Sequence, residues 1–530
     1  MATTTKAVST WAPLRIGIFR ALWIAVLVSN IGTWMQTVGA QWLLVQQPHA
    51  SILVSLVQTA DMLPDVLLAY VGGVIADTFD RRWLLIVTQA CQVVTGLVLT
   101  ILTILGQMPP ALLLTLTFVL GAGSAFSVPA YQALIPDLVP RPQITSASAL
   151  GSISVNLARA IGPAIAGVLI TRVGVGAVFA INTATFLVFG LVVALWHPAE
   201  DMAAPLHERF IPALRAGGRY VRYAPVVRRI LVRSALFLVP ASALWALLPL
   251  IASERLGLGA NGYGLLLGAL GIGAIVGAFT LPRIRARLTS NSMLLVASLV
   301  YAAALVVLVL VPNVGVILLV LIPTGMAWIA VLSSMNAAMQ LFLPAWVRAR
   351  GLSVYQMVLF GAQAAGAVLW GIIAGPAGLM TTFLIAAAVM VAGVATIRLL
   401  PLFDTRGMDR NLAVYWPEPH LVLEPDPEAG PVLVTTIYTI APENEQRFLQ
   451  AMGQVRKSRL RTGAVDWGLY RDGETAKRFV EFFVVPSWEE HLRQHNERLT
   501  GTDQQYEEQA DALSNPPPVT THLLGADVSD

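Results

Sequence analysis

Gly72-Gly73-Val74-Ile75-Ala76-Asp77-Thr78-Phe79-Asp80-Arg81-Arg82 lies between two long apolar runs. Its last six residues hold two carboxylates and two guanidinium groups. A connection this short between bilayer-length runs lies at one membrane face. The paired arginines assign that face to the cytoplasm, because cytoplasmic loops carry the excess of Lys and Arg. The surrounding composition agrees. Of 530 residues, 56% are hydrophobic and 12% charged, and the mean hydropathy is +0.70, far more apolar than an ordinary soluble protein.

Runs of about 20 apolar residues, the length that crosses about 30 Å of hydrocarbon, begin near Phe19, Ile52, Trp83, Ala111, Ile144 and Val175. Six more begin near Ile230, Tyr263, Met293, Val314, Leu352 and Leu379. The expectation is an all-α membrane protein of twelve transmembrane helices. The first run extends to about Val45, much longer than a signal-peptide core of about 7 to 15 residues, and is taken as the first span. Up to Arg350, the stretches assigned inside carry Lys6, Arg15, Arg20, Arg81, Arg82, Arg141, seven arginines from Arg209 to Arg233, and Arg283, Arg285, Arg287, Arg348 and Arg350. Those assigned outside carry Arg172 and Arg255. This asymmetry predicts a multi-pass protein of the cytoplasmic membrane with both termini inside. Arginines scattered over short loops also argue against nucleic acid as a partner. The one cysteine, Cys91, reads as a small core residue of the third span.

The two sets of six runs carry matching landmarks. Gln132, Pro136 and Val139 recur 208 residues later as Gln340, Pro344 and Val347, and Gly167 recurs as Gly375. An offset of 204 sets Gly73 on Gly277, with Leu281 where the first copy has Asp77. Such landmarks describe two repeats around a central cavity.

Twelve spans in two halves, the Gly73-x3-Asp77-x2-Asp80-Arg81-Arg82 loop and the Gly162-Pro163-x3-Gly167 element resemble the major facilitator superfamily of secondary transporters. Phe19-Arg20-Ala21-Leu22-Trp23, Gly32-x-Trp34-x-Gln36, Asn156-x2-Arg159-x2-Gly162-Pro163 and Val347-Arg348-Ala349-Arg350-Gly351 resemble, more narrowly, its bacterial branch of enterobactin-type siderophore exporters. One departure is the missing glycine after the first acid-base pair, where Phe79 and Asp80 stand. The resemblance implies alternating access with a small-molecule substrate, and no cofactor.

Within that frame Gly73, Asp77, Asp80, Arg81 and Arg82 read as a gating loop. Asp77 is placed to face a helix N-terminus of the opposite half, while Arg81 or Arg82 neutralises its neighbours; the alternative is anchoring to headgroups. Charges inside spans are the sharper signal, since Asp or Arg at a helix centre costs about 2.5 to 3.5 kcal/mol on insertion scales. Asp61 and Asp65 share a face around Pro64, and Arg159 lies in the fifth run. Desolvation and mutual repulsion make the carboxylates candidates for proton coupling. The alternatives are a permanent pair with Arg159, or an Asp65 exposed to water. One proton moving down 100 mV yields about 2.3 kcal/mol, against about 1.4 kcal/mol for a tenfold solute gradient, so proton antiport is energetically adequate. The three lysines, Lys6, Lys457 and Lys477, do not follow glycine, so no phosphate loop for ATP exists.

Trp34, Gln36, Tyr131, Gln132, Trp245, Asn336, Gln340, Tyr355 and Gln356 interrupt otherwise apolar runs and together read as a substrate cavity. Singly, each aromatic reads as a packing or interfacial residue, and only the set argues for a site. Gly162, Pro163, Gly167, Gly273 and Gly277, with Gly264-x3-Gly268 and Gly371-x3-Gly375, supply small faces for helix packing or for rocking between halves. Between the halves, Phe210, Ile211, Leu214, Gly218 and Val221 share a helical face opposite Arg215, Arg219 and Arg222, the pattern of an interfacial helix.

The expected domains are a six-helix half over 1–197, a cytoplasmic linker over 198–229, a second half over 230–400, a linker over 401–430 and a soluble α+β domain over 431–530. The last 100 residues hold ten basic and fifteen acidic groups. Their pattern runs strand (Val432 to Ile440), helix (Glu443 to Leu460), a hairpin around Asp472-Gly473 (Asp466 to Arg471, Lys477 to Val485), helices (Ser487 to Arg498, Asp503 to Leu513) and strand (Val519 to Leu524). That order is ferredoxin-like and resembles the dimeric α+β barrel family that includes antibiotic-biosynthesis monooxygenases, which implies self-association. His491 and His495 share a helical face. Two ligands without a third do not make a metal site, and they read as a solvated face.

The function expected is a secondary exporter of a siderophore or similar amphipathic molecule, with no catalytic residues. Alternatives are general multidrug efflux and, in another class, an anchored enzyme or sensor acting through the tail.

Overall fold

A computed structural model describes residues 9, 11–78, 80–196, 218–403, 408–409, 411–417 and 425–526, without the side chains of 69–78, 345 and 349. Among the described residues, 11 helices are long and apolar enough to cross a membrane. They are α1 (Gly17–Leu44), α2 (Ala50–Thr78), α3 (Arg81–Ile104), α4 (Pro110–Leu138), α5 (Ile144–Val173) and α6 (Val175–Leu195). After a short helix α7 at 218–223 come α8 (Pro225–Leu250), α9 (Ala260–Arg287), α10 (Ser290–Leu310), α11 (Val314–Phe342) and α12 (Ala345–Ala395). Only helices and closed barrels satisfy every backbone polar group inside lipid, which is why these uninterrupted apolar runs are helical. Local chemistry sets the breaks. Gly174 at φ +97° separates α5 from α6, and the Thr289 hydroxyl accepts from Ser292 N at 3.2 Å to cap α10.

The eleventh and twelfth predicted runs both lie in α12, where a non-helical Gly378 (φ +75°), one residue before the expected start of the twelfth, breaks the helix into two stretches. Of the predicted interfacial helix between the halves, Phe210, Ile211 and Leu214 lie outside the described residues.

The chain divides into two compact units. The first comprises Met1–His207, Leu231–Met335 and Gln356–Pro401; the second comprises Glu208–Ile230, Asn336–Tyr355 and Leu402–Asp530. In the first, α1 packs on α5 and α6, α3 on α4 and α6, α2 on α4, and α5 on α9. Phe19, Leu22, Leu85, Leu134, Leu150 and Phe189 form a buried cluster at the end where α1 begins. In lipid such contacts act through packing and hydrogen bonds, since no water is excluded. Accordingly, Asn182 of α6 donates its amide to Gln36 of α1. On α3, Gln89 donates to Gln92 (2.9 Å) and Gln92 to Leu120 O of α4 (3.1 Å). Cys91, expected in the core, lies on the exposed face of α3.

The second unit holds a four-stranded antiparallel sheet in the order β2-β3-β1-β4. The chain visits β1 (Val432–Thr439), α13 (Glu445–Thr462), β2 (Asp466–Arg471), β3 (Arg478–Val485), α14 (Trp488–Arg493), α15 (Gly501–Asp511) and β4 (Val519–Leu524). Strict alternation of burial along β1 and β3 places Val432, Val434, Tyr438, Phe479, Phe483 and Val485 in cores shared with the helices. Among them runs a buried ionic network. Arg459 bonds Glu481 (3.2 Å) and Glu507 (2.7 Å), Arg461 bonds Asp503, and Arg498 bonds Glu490 (2.6 Å).

Candidate functional site

In the first unit the two sets of helices meet along α5 and α9 and along α2 and α12. A Cβ on Gly264 would fall 2.5 Å from Pro163 O, and one on Gly167 2.8 Å from Ala260 O, so α5 and α9 touch backbone to backbone. Where α2 begins, Gly371 and Gly375 of α12 face Ser55 and Ser51, and Thr59 donates to Ala364 O at 3.1 Å. At the same end α1 is tied across. Gln41 donates to Trp245 O of α8 (3.3 Å) and accepts from the Tyr263 hydroxyl of α9, while Trp42 stacks on Tyr263 (6.1 Å, 16°). The other expected packing residues act elsewhere. Gly162 lies against Trp34 and Ile31 of α1, and Gly273 and Gly277 lie against α11 at Ile322 and Met326.

At this interface a cation and three indoles stand in a row. The Arg159 guanidinium (α5) is 5.3 Å from the Trp34 ring (α1), Trp34 is 6.0 Å from Trp245 (α8), and Trp245 is 5.2 Å from Trp328 (α11). Tyr301 of α10 flanks Trp328 at 6.2 Å and donates to Ala241 O (3.1 Å). A guanidinium over an indole face is held by the ring quadrupole, and more strongly when desolvated. Among the described residues the buried Arg159 Nε has no hydrogen-bond partner. The row therefore offers a free N–H beside flat apolar walls, which suits a partly aromatic molecule with a negative or acceptor group.

Asp61 and Asp65 are half-buried on α2. The turn between them is pressed by α4, since a Cβ on Gly121 would lie 2.6 Å from Asp61 O and 3.2 Å from Pro64. Among the described residues neither carboxylate has an ion-pair partner, so the permanent pair with Arg159 is not formed. Two carboxylates without a cation thus stand four residues apart on one helix.

The gating loop is local where it is described. Asp80 caps α3, accepting from Trp83 N at 3.0 Å. Arg81 donates to Asp137 and to Ala133 O on α4, each at 3.0 Å, and Arg82 donates to Val193 O (3.2 Å) and Ala194 O (2.6 Å) at the end of α6. Those carbonyls lack helical partners and sit at the negative end of the helix dipole, which explains the arginine. Gly73 and Asp77 lie outside the described side chains. The repeat is visible here. Arg285, 204 positions after Arg81, donates to Ser333 (3.0 Å) and Ser334 (2.9 Å) on α11, the tenth predicted run as α4 is the fourth.

Gln36 is consumed by Asn182, and Tyr131 packs edge-on against Phe189 (6.2 Å). Gln132, Asn336, Gln340 and Gln356 are exposed and Tyr355 is buried; Gln340 donates to Asn336 at 3.3 Å. Sequence reasoning missed Trp328, Gln41, Tyr263 and Asn182. The signal for Asn182 was an amide inside an apolar run, and for Trp328 an indole in an aliphatic one.

In the second unit, His491 and His495 are not on a solvated face: they are 0% and 4% exposed. Trp416, from the segment before the sheet, lies over them, at 6.1 Å from His491 and 5.7 Å from His495. No group of three metal-ligating side chains occurs among the described residues.

The family model described as transmembrane secretion effector, of the major facilitator type, matches residues 8–529. The chain is 24% identical over 285 residues to the staphyloferrin A transporter of Staphylococcus aureus, spanning 52% of this chain and 69% of that one. To macrolide efflux protein A of Streptococcus pyogenes it is 24% identical over 238 residues, 44% of this chain and 59% of that one. The fold is similar to a bacterial homologue of the human lysosomal transporter Spinster in an inward-facing, unoccupied conformation, with TM-score 0.54 and 16% identity over 73% of this chain and 96% of that one.

Proposed function

Since this chain belongs to the transmembrane secretion effector family of the major facilitator superfamily, and is a multi-pass membrane transporter with efflux transporters among its relatives, we propose that it exports a siderophore or similar amphipathic small molecule by alternating access with proton antiport. The observation that carries this reading is the row of Arg159, Trp34, Trp245 and Trp328, drawn from both halves. Arg159 engages the substrate's polar group, the indoles its apolar part, and Asp61 and Asp65 take up the proton. The staphyloferrin A relative supports a siderophore, and the macrolide efflux relative supports general drug efflux as the second reading.

The topology proposed is twelve crossings, with α12 crossing twice about Gly378. The non-helical Gly378 divides α12 into helical stretches of about 33 and about 17 residues, which rise about 50 and about 25 Å and are each of crossing length. Both termini are cytoplasmic in the bacterial cell membrane, by the arginine asymmetry. The end where α1 stops and α2 starts is then the outer one. Its close contacts hold that end shut. The Gly73 to Arg82 loop is the cytoplasmic gate, with Asp77 as its acting charge. The tail over 431–530 is a cytoplasmic ferredoxin-like domain that regulates or dimerises and does not catalyse. Its sheet face away from the helices carries Ile437, Phe482 and the exposed Tyr470, Val519 and Leu523, a surface for a second copy.

The test is flux in proteoliposomes under an imposed pH gradient, with a panel of siderophores and lipophilic cations. Gradient-dependent movement of one class, lost in Asp65→Asn and Arg159→Leu, is expected. No gradient-dependent movement of any member overturns the exporter reading. Flux that survives loss of Asp61, Asp65 and Arg159 removes these residues from the mechanism.

A further inference from the structure

We propose that the cleft of the second unit containing His491 is a binding site for a planar, hydroxylated aromatic molecule, and that Trp416 fills it in cis as a displaceable plug. Trp416 belongs to neither the sheet nor its helices, and is only half-buried. Yet its ring reaches residues that are almost wholly buried. It lies 4.8 Å from the Arg459 guanidinium, stacks on His491 (6.1 Å, 23°) and meets Phe483 at 6.4 Å. Its indole N–H donates to Glu507 Oε2 at 2.8 Å, beside the Tyr415 hydroxyl on Oε1. The segment is fastened on both sides of Trp416, where Ala413 N donates to Leu499 O (3.0 Å) and His495 Nε2 meets Pro417 O (3.2 Å). A π-face on a cation and one donor for Glu507 are the demands the cleft makes.

The plug meets those demands incompletely. Among the described residues neither ring nitrogen of His491 has a partner in hydrogen-bond geometry, although the residue is 0% exposed; the Gln494 carbonyl oxygen, which acts on the ring as an acceptor, is itself left unpaired. Burial, with His522, His495 and Arg459 nearby, holds its pKa down at about 3, so the ring is neutral and presents one N–H and one lone pair. An indole supplies no group for either. Buried polar atoms are nearly always satisfied, so this exception calls for an explanation. A hydroxyl on a ring seated in place of Trp416 both donates and accepts, and would complete the imidazole. Occupancy has a route outward as well. Glu490, next to His491, binds Arg498 through both oxygens (2.6 and 3.0 Å), and Arg498 lies 4.9 Å over Trp346 at the start of α12.

The inference does not depend on the transported substrate and is tested by binding. With full-length protein in lipid nanodiscs, 5-hydroxyindole is expected to raise amide exchange over 411–417 at least tenfold, and 1-methylindole, which has no donor, is not. Trp416→Ala is expected to bind 5-hydroxyindole at least tenfold more tightly than the wild type in equilibrium dialysis, and His491→Phe in that background to lose the gain. If the wild type shows no change in exchange, Trp416 is a fixed core residue and the proposal fails, even where Trp416→Ala binds the probe in the hole left behind. Equal affinity of wild type and Trp416→Ala also overturns it. The exchange measurement on the wild type stands if the variants do not fold.

Discussion

In the sheet-containing unit, Arg459, Arg461 and Arg498 are each buried against a carboxylate; in the membrane helices, among the described residues, Asp61 and Asp65 have no cation and Arg159 has an indole face in place of a carboxylate. Both regions place charge out of water, and the cost of doing so is several kcal/mol per ion. In the tail, good geometry offsets it. Burial alone would strip the charge from Arg459, yet Glu507 and Glu481 hold it on. Burial likewise works against Asp503, and Arg461 keeps it ionised below its usual range. For Asp61, Asp65 and Arg159 no comparable partner among the described residues offsets the cost. A fully paired charge has its explanation in the fold, whereas an unpaired one in lipid is a functional residue by default.

The largest effect expected separates the two arginines. Arg459→Met strands Glu481 and Glu507 in an apolar interior, and breaking a buried pair costs about 3 to 5 kcal/mol. The sheet's protection from amide exchange should collapse to match. Arg159→Leu strands no carboxylate, so its effect on thermal unfolding should stay within about 1 kcal/mol while flux falls at least tenfold. Should Arg159→Leu unfold the membrane unit as severely as Arg459→Met unfolds the tail, Arg159 is a structural residue and the contrast breaks down.

A smaller effect tests whether the tail's interior contains an unbalanced group of its own. His491 is held at about 3 against an ordinary 6.5. The unfolded chain therefore takes up a proton below pH 6.5 that the folded one refuses. Its contribution is complete above pH 6.5 and falls as pH drops towards 3, by about 1.4 kcal/mol per unit at most. His522, also lowered by burial, acts in the same direction. Asp511, raised by burial to about 6, opposes them below pH 6, because there the folded chain takes up a proton first. The net loss should thus be steepest just below pH 6.5. His491→Phe should flatten the decline of tail melting temperature between pH 7 and 6, and an unchanged slope would place the titration elsewhere.

These contrasts also show what a linear sequence carries. The spans were legible because lipid forces every backbone group into a helix, so twenty apolar residues have one outcome. The tail's elements were legible because Val432 to Thr439 alternates faces and Asp472-Gly473 marks a turn. Asp61, Asp65 and Arg159 were legible as exceptions to an apolar pattern. What each exception touches was not. That Arg159 faces Trp34, and that Gln36 is consumed by Asn182, depends on rotations of α1, α5 and α6 that small residues such as Gly162 permit. His491 was misplaced on a solvated face for a related reason. Its helix pattern is ordinary, and the group that covers it, Trp416, lies 75 positions earlier in a stretch without periodicity.

The smallest effect bears on a charge of the membrane unit whose partner is backbone. Asp80 accepts from Trp83 N and caps α3, so by the reasoning applied to the tail it is a structural charge, unlike Asp61 and Asp65. Asp80→Ala should cost about 0.5 to 2 kcal/mol of unfolding free energy, and Asp80→Asn, which also caps, almost nothing. Flux should persist in both. If Asp80→Asn keeps its stability and loses flux, the carboxylate acts through its charge rather than its cap. Asp80 would then join Asp77 in the gate, and the line between paired and working charges would have to be redrawn through the loop itself.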